Sequence, residues 1–277
     1  MEVYCFSGTG NSMSAARDIA DALGASLSDV AALPDGPVAT DADVIGIVCP
    51  VYFEELPVIV REFARRLEAR KDAYIFAVLT YGGAAGAAPG QMRNELKQAG
   101  LKLRAVYGVP MPQNTFHKPD ENRDRLATSW QKRLPVIVRR TRVRAPGARF
   151  FNLPLEALIS LLYRVWIKTA VRKQLSRLSG LPVGAPPDAL IRHADGSYFV
   201  DSGCSGCGVC ARVCPVGNIR LAARTPVWQH RCELCGRCYH MCPERAIHGG
   251  VVEPGFYYTN AAMQREDLSC TGANGAV

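Results

Sequence analysis

Eight of the chain's eleven cysteines lie between Cys204 and Cys242. They fall in two runs, Cys204-x2-Cys207-x2-Cys210-x3-Cys214-Pro215 and Cys232-x2-Cys235-x2-Cys238-x3-Cys242-Pro243. Each cysteine of the second run follows its counterpart by 28 residues, the mark of an internal duplication. Three thiolates spaced two residues apart in a tight turn can converge on one iron–sulfur cubane. The fourth, beyond the turn, does not easily reach that cubane and in the bacterial two-cluster arrangement ligates the other one. The spacing therefore predicts two [4Fe–4S] clusters, one on Cys204, Cys207, Cys210 and Cys242, the other on Cys232, Cys235, Cys238 and Cys214. Gly206, Gly208 and Gly236 allow the backbone to turn tightly around the sulfurs, and the two prolines stop local helix beyond each fourth cysteine. Structural zinc uses a CxxC pair, a long gap and a second CxxC, which is not this pattern.

The remaining candidates for iron ligation are weaker. His230, His240 and His248 stand near the motifs, but eight cysteines already meet the demand of two cubanes, so these histidines read as packing or solvent residues. Cys5 and Cys49 lie in apolar, strand-like runs and read as small buried hydrophobes. Cys270 sits in a tail rich in Gly, Ser and Thr. Disulfides need an oxidising compartment. The start Met1-Glu2-Val3-Tyr4-Cys5-Phe6 lacks the basic and long apolar regions of an export signal, so the expected location is cytoplasmic.

A second kind of chemistry sits near the amino terminus. Residues 3–6 form a short apolar run, followed by Ser7-Gly8-Thr9-Gly10-Asn11-Ser12 and a helical pattern reaching about Leu23. A strand, a hydroxyl-rich loop and a helix start make an anion site, with N–H groups, hydroxyls and the helix dipole all favouring a phosphate. Neither GxxxxGK[ST] nor GxGxxG is present, which excludes the P-loop and the Rossmann fingerprint. Hydroxyls in place of a lysine suit a monophosphate held without a neutralising cation. Further buried strands are predicted at Val44–Cys49, Tyr74–Thr80 and Leu103–Val109, with helical patterns at Leu56–Glu68 and Gln91–Gln98 between them. This alternation implies a doubly wound parallel sheet, whose ligands sit beyond the carboxyl ends of the strands. Three loops lie at those ends: Ser7–Ser12, Pro50-Val51-Tyr52-Phe53-Glu54-Glu55, and Thr80-Tyr81-Gly82-Gly83-Ala84. The last two each set an aromatic beside backbone amides, which suits a flat aromatic ring. Met111-Pro112-Gln113-Asn114 is a weaker candidate for the same pocket.

The Ser-x-Thr-Gly-x-Ser loop resembles the FMN-phosphate loop of flavodoxins, and the two aromatic loops resemble the pair that sandwiches the isoalloxazine. The whole chain is similar to a flavodoxin–ferredoxin fusion family, the EFR1 family, over residues 1 to about 110 and 199 to about 250. Asn218-Ile219 and Pro226-Val227-Trp228 are part of that likeness. The resemblance implies a flavodoxin-like sheet in the order 2-1-3-4-5, followed by a small α+β two-cluster ferredoxin-like domain. It also implies FMN and two [4Fe–4S] clusters as cofactors. On this reading Ser7, Gly8, Thr9, Gly10, Asn11 and Ser12 hold the phosphate, while Pro50, Val51, Tyr52, Phe53, Thr80, Tyr81, Gly82 and Gly83 surround the ring. The second loop departs from the flavodoxin pattern in lacking a tryptophan, so Tyr52 or Phe53 would take its place. The expected domains are a flavodoxin-like part at 1–145, a basic helical connector at 146–195, a ferredoxin-type part at 196–252 and a tail at 253–277.

Composition agrees with this organisation. The 277 residues are 48% hydrophobic and 21% charged, which excludes collagen-like, disordered and disulfide-scaffold classes. No apolar run is long enough to span a membrane. The net charge of +8 is local: residues 131–180 carry twelve Lys/Arg against a single acidic residue, while residues 1–130 are mildly acidic. From Leu155 a helix is predicted with an apolar face at 155, 158, 159, 162 and 166, opposite Arg164, Lys168 and Arg172. A linker helix packed on one of the modules accounts for this first; contact with an anionic membrane surface through residues 155–178, or docking of an acidic redox partner, are the alternatives. Nucleic acid is excluded for want of any recognition motif. The function expected is an electron relay between FMN and the clusters, joining two-electron and one-electron carriers, with unknown protein donor and acceptor and a homodimer as one arrangement. The alternatives are an FMN-dependent reductase of a quinone or other small acceptor, and an accessory protein whose clusters assemble without flavin. No catalytic hydrolase or acyl-transfer set is present.

Overall fold

A computed structural model describes residues 1–116, 121–151 and 168–260, the side chains of 121–123 excepted. Two compact units form. The first comprises Met1–Ser7, Asn11–Gln113 and the described part of Lys118–Tyr163; the second comprises Gly8–Gly10 and the described parts of Asn114–His117 and Arg164–Val277.

The first unit is built on a six-stranded parallel sheet. Its strands are β1 (Glu2–Cys5), β2 (Ser26–Asp29), β3 (Val44–Pro50), β4 (Tyr74–Tyr81), β5 (Leu103–Pro110) and β6 (Gly147–Arg149), in the order β2-β1-β3-β4-β5-β6. Registers such as Val3↔Gly46, Val48↔Val78 and Val78↔Tyr107 align the carboxyl ends of the central strands. Every residue of β4 is buried, as an uninterrupted apolar run in the middle of a doubly covered sheet must be. The period of two divides the core between the faces. Tyr4, Ile45, Ile47, Ile75 and Leu79 pack under α2 (Val58–Arg66) and α3 (Ala88–Gln98). Val3, Val48, Phe76, Val78 and Tyr107 pack under α1 (Asn11–Leu23) and α4 (Glu121–Arg142). Helix α1 buries Ala15, Ala16, Ile19 and Ala20 at helical spacing, and its small residues let it lie close to the sheet. Gly46 serves the same closeness, because a Cβ there would lie 2.7 Å from the Phe76 ring.

The parallel sheet with helices on both faces is the expected class. Two strands of this sheet depart from the sequence reading, and Leu67–Ala69, read in part as the end of a helix, pairs as a strand with Val38–Thr40. Neither β2 nor β6 shows as an apolar run, because both are edge strands: Ser26–Asp29 is polar and partly exposed, and all three residues of β6 are exposed, where a loop around Pro146 and Gly147 is the expectation. The six strands thus extend the order 2-1-3-4-5 by one. The stretch of the predicted amphipathic helix from Leu155 to residue 167 lies outside the described residues.

The second unit begins with α5 (Lys168–Ser179), which packs against α6 (Pro187–His193) and the 3-10 turn Ala194–Ser197. Then follow β7 (Phe199–Val200), α7 (Val209–Val213), the hairpin β8 (Ile219–Ala222) and β9 (Thr225–Trp228), α8 (Arg237–His240) and β10 (Ile247–His248). Strand β10 returns antiparallel to β7, with Ile247 opposite Val200. The duplication read from the cysteines is also structural, since α7 and α8 each start after a left-handed glycine, Gly208 and Gly236.

Candidate metal centres and phosphate loop

The second unit contains two cavities, each lined by four cysteines. Cys204, Cys207, Cys210 and Cys242 line one. Cys214, Cys232, Cys235 and Cys238 line the other. Each cavity thus takes three cysteines from one run and the last cysteine of the other. Helix α7 explains the exchange: Cys210 in its first turn faces one cavity, and Cys214, just past its end, faces the other. The hairpin spans both. Its cross-strand pair Leu221↔Pro226 lines the first cavity, and the pair Ile219↔Trp228 lines the second. Gly206 (φ +67°) is required in the first turn, where a Cβ would meet the Arg224 carbonyl oxygen and Cβ at 2.7 Å.

The donor set fits a polynuclear cationic core. Burial pushes the thiols of Cys210 and Cys235 up to about 11 and those of Cys232 and Cys238 well above their ordinary value, and neighbouring cysteines push in the same direction. Four thiolates crowded in one buried cavity repel one another unless positive charge lies among them, which iron bound to their sulfurs would provide. Backbone amides already serve two sulfurs: Asn218 N–H donates to Cys214 Sγ and Leu234 N–H to Cys232 Sγ, both at 3.2 Å. Among the described residues no three His, Cys, Asp or Glu side chains group as they would around a single metal ion.

The histidines near the motifs are engaged elsewhere. His230 Nδ1 lies 2.7 Å from Asp195 Oδ1, and its ring stacks on His193 with centroids 4.6 Å apart. His240 bridges the Asn114 carbonyl and the Tyr258 N–H, and His248 pairs with Asp201. The motif reading passes over three residues: Tyr198 in the lining of the second cavity, and Arg237 and Asp195, the one following Gly236 and the other bonded to Asn218 of that lining. Tyr198 stacks on Trp228, its buried hydroxyl without a partner among the described residues. Arg237 is a fully buried cation between Cys235 and Cys238. Asp195, fully buried, holds Asn218 Nδ2 at 2.8 Å and His230 N–H at 2.9 Å. A charged residue inside a cysteine run is the only sequence signal any of them offers.

The predicted phosphate loop is rich in buried donors. Ser7, Thr9 and Ser12 are all buried, and Ser12 Oγ lies 2.8 Å from Thr80 Oγ1. Asn11 opens α1 and its side-chain amide donates to the Pro112 carbonyl at 2.6 Å. Within the second unit, the Gly8 carbonyl accepts from Arg237 Nε at 2.8 Å and the Thr9 carbonyl from Asn260 N–H at 2.8 Å. Within the first unit, the buried hydroxyls of Ser7, Ser12 and Thr80 are a donor set that suits a phosphate.

The two aromatic loops are tied to each other. Tyr52 and Glu55 exchange backbone hydrogen bonds at 2.9–3.0 Å and close a turn with Phe53 and Glu54 both at positive φ, 51° and 64°. A bulky residue in that region stores strain, which the surrounding bonds must hold. Val51 N–H donates to the Thr80 carbonyl, and Ala87 N–H donates to that of Glu54. Tyr81 is buried, and a Cβ placed on Gly108 would lie 2.9 Å from its hydroxyl, so its ring packs along the end of the sheet. Gly82 abuts Gln113, whereas Gly83 has open space beside it.

Residues 198–220 and 225–248 match a family described as the 4Fe-4S binding domain, so the second unit carries such a domain in two repeats. A 46-residue stretch is 41% identical to one component of the ion-translocating oxidoreductase complex of Methanosarcina acetivorans, covering 16% of this chain. The chain spans about a sixth of the length of that relative, 17%. A crystal structure of a "Putative flavoprotein" from Bacteroides uniformis aligns with 47% of this chain and 96% of its own, at 15% identity and a TM-score of 0.34. The class that fold and site define is an α/β sheet protein with an iron–sulfur domain of the ferredoxin kind.

Proposed function

We propose that this chain is an electron-transfer protein of the flavodoxin–ferredoxin kind, in which FMN and two [4Fe–4S] clusters exchange electrons. The observation that carries the reading is the pair of four-cysteine cavities with exchanged fourth cysteines, which suits two cubanes and no simpler metal. When bound, FMN supplies electrons in pairs or singly and each cluster passes them one at a time. The chain's own residues do the rest. Cys204, Cys207, Cys210 and Cys242 hold one cluster, and Cys214, Cys232, Cys235 and Cys238 hold the other. Asn218 N–H and Leu234 N–H stabilise sulfur charge at the second. Ser7, Thr9 and Ser12 hold the flavin phosphate with hydroxyls. Joining both modules in one chain raises the effective concentration of each at the other and removes a diffusional step. Thiolate-bound clusters need a reducing compartment, which favours the cytoplasm; no described helix is long and apolar enough to cross a membrane.

The test is anaerobic purification followed by assay of iron, acid-labile sulfide and released flavin. The reading requires about eight iron, eight sulfide and one FMN per chain. Stoichiometric zinc without sulfide would overturn the cluster assignment, and iron without flavin would leave a ferredoxin-type protein and remove the relay.

A further inference from the structure

We propose that the surface over Cys207, framed by Arg212, Arg224 and Leu221, is where an acidic redox protein docks. There it exchanges electrons with the site formed by Cys204, Cys207, Cys210 and Cys242. The inference rests on the reading that this cysteine set holds a [4Fe–4S] cluster. It names the partner by its chemistry, a protein that presents carboxylates around its own redox centre.

Of the motif cysteines Cys207 alone is exposed; in the second cavity Cys235 is buried and Cys214, Cys232 and Cys238 are half-buried. An electron passes between two proteins only where their redox centres come close, so the first site offers the shorter route to a partner. Leu221 lines this cavity and is 39% exposed, one of few large apolar side chains left to solvent. A Cβ placed on Gly208 would lie 3.3 Å from both Leu221 Cδ1 and Arg212 Nη1. One placed on Gly206 would lie 2.7 Å from Arg224 Cβ. The three side chains therefore close around the Ser205–Gly208 loop. An apolar side chain flanked by cations, beside an exposed ligand, has the composition of a protein interface.

Both arginines are exposed, and both are anchored. Arg212 Nη1 donates to the Cys207 carbonyl at 3.0 Å, and Arg224 Nη2 to the Ser205 carbonyl at 2.7 Å. Each guanidinium keeps further N–H donors, whose planar fork matches a carboxylate. Neither arginine takes part in an ion pair among the described residues. Side chains already held in place lose little freedom on binding. Two carboxylates stand near the loop. Asp201 is occupied by His248 Nε2 at 2.7 Å and Gly203 N–H at 2.9 Å. Glu244, exposed in the cavity lining, opposes an acidic partner. Ile219 and Leu221 line the cavities, so the alternation of β8 turns the exposed Arg220 to the other face of the hairpin. A patch centred on an exposed cluster ligand suits a partner that carries a redox centre, which a lipid surface does not.

The test uses the full-length protein with its clusters and two haem proteins as probes, cytochrome b5, which is acidic, and cytochrome c, which is basic. Binding is measured anaerobically by calorimetry with all proteins oxidised, so that no electron moves. The cytochrome b5 dissociation constant should rise about tenfold or more between about 20 and 200 mM salt, and cytochrome c should bind more weakly at the lower salt. R212Q/R224Q should weaken cytochrome b5 binding about tenfold, R212K/R224K less, and E244Q should tighten it. K173Q/R220Q removes the same charge from exposed positions elsewhere and should change the constant by less than about twofold. In stopped flow, a cluster reduced by less than one equivalent of dithionite gives one electron to haem Fe(III), which becomes Fe(II) as the cluster is reoxidised. Those rates should follow the order of the affinities. Cytochrome b5 that does not bind, binding indifferent to salt, or equal losses in R212Q/R224Q and K173Q/R220Q overturns the proposal. Binding of phosphatidylserine vesicles in place of cytochrome b5 also overturns it and assigns the face to lipid. If R212Q/R224Q loses iron, E244Q decides, and its failure to tighten binding overturns the proposal. A wild type without two clusters defeats the electron-transfer reading itself, a result distinct from all of these.

Discussion

The hydroxyl oxygens of Ser12 and Thr80 lie 2.8 Å apart and join the first turn of α1 to the end of β4. Both are buried, and 68 residues separate them in sequence. The contact brings the candidate phosphate loop to the third of the loops at the sheet's carboxyl edge. If a phosphate accepts from this pair, S12A removes a hydrogen bond to a charged group, worth about 1.5–3 kcal/mol. The FMN dissociation constant, read from quenching of flavin fluorescence, should rise about tenfold or more, and T80V should act in the same direction. Iron content should be unaffected by either. An unchanged FMN affinity in both variants would show that the phosphate lies elsewhere.

Cys49 belongs to the other class of cysteine. It is fully buried in β3 within the core under α2 and α3, and burial alone pushes its thiol far above the ordinary range. The thiolate is the reactive form, so iodoacetamide at pH 8 should leave Cys49 unlabelled in the native protein and label it on denaturation. C49S places a hydroxyl in apolar surroundings and should cost about 1–3 kcal/mol, read as a lower denaturant midpoint, more than the loss in C49A. Native labelling of Cys49 would mean that β3 opens readily.

Much of this architecture is legible in the sequence because its determinants are local. The cysteine runs carry their own geometry, since α7 between Cys210 and Cys214 is short enough that spacing alone implies opposite facing. The stretch Val44–Cys49 reads as strand because it is apolar throughout, and α1 reads as helix because Ala15, Ala16, Ile19 and Ala20 recur at helical spacing. What stays hidden depends on tertiary placement. Strand β2 is polar because one edge faces solvent, so no pattern betrays it. Arg237 looks like any surface arginine until the carbonyls of Gly8 and Val213, distant in sequence, are found on its fork.

Glycines give a contrast within one chain. Gly249, after β10, has φ +85°, and a Cβ there would lie 2.0 Å from the Ser197 carbonyl oxygen. Backbone cannot yield as a side chain would, so G249A should cost at least about 2 kcal/mol, combining left-handed strain with the collision. Gly90 lies inside α3 with nothing within 4 Å of the added carbon. G90A should gain about 0.5–1 kcal/mol from helix propensity. Melting curves on the two variants should therefore move in opposite directions. A stable G249A would mean that the turn joining β10 to the rest of the domain relaxes at little cost.

The exchange of fourth cysteines makes a sharper claim than cluster content alone. Cys214 belongs to the first run yet lines the cavity of the second, and Cys242 belongs to the second run yet lines the cavity of the first. A ligand removed from one cavity should spare the other, because α7 and α8 keep the remaining four sulfurs in place. C214S should thus lose the same paramagnetic signal as C232S, and C242S the same signal as C204S, each retaining about half of the iron. Were the runs independent, C214S would instead pair with C204S. That pairing, or the loss of both signals in every variant, would contradict the exchanged arrangement. The four single variants settle the matter without reference to flavin, since each is scored only on which of two signals survives.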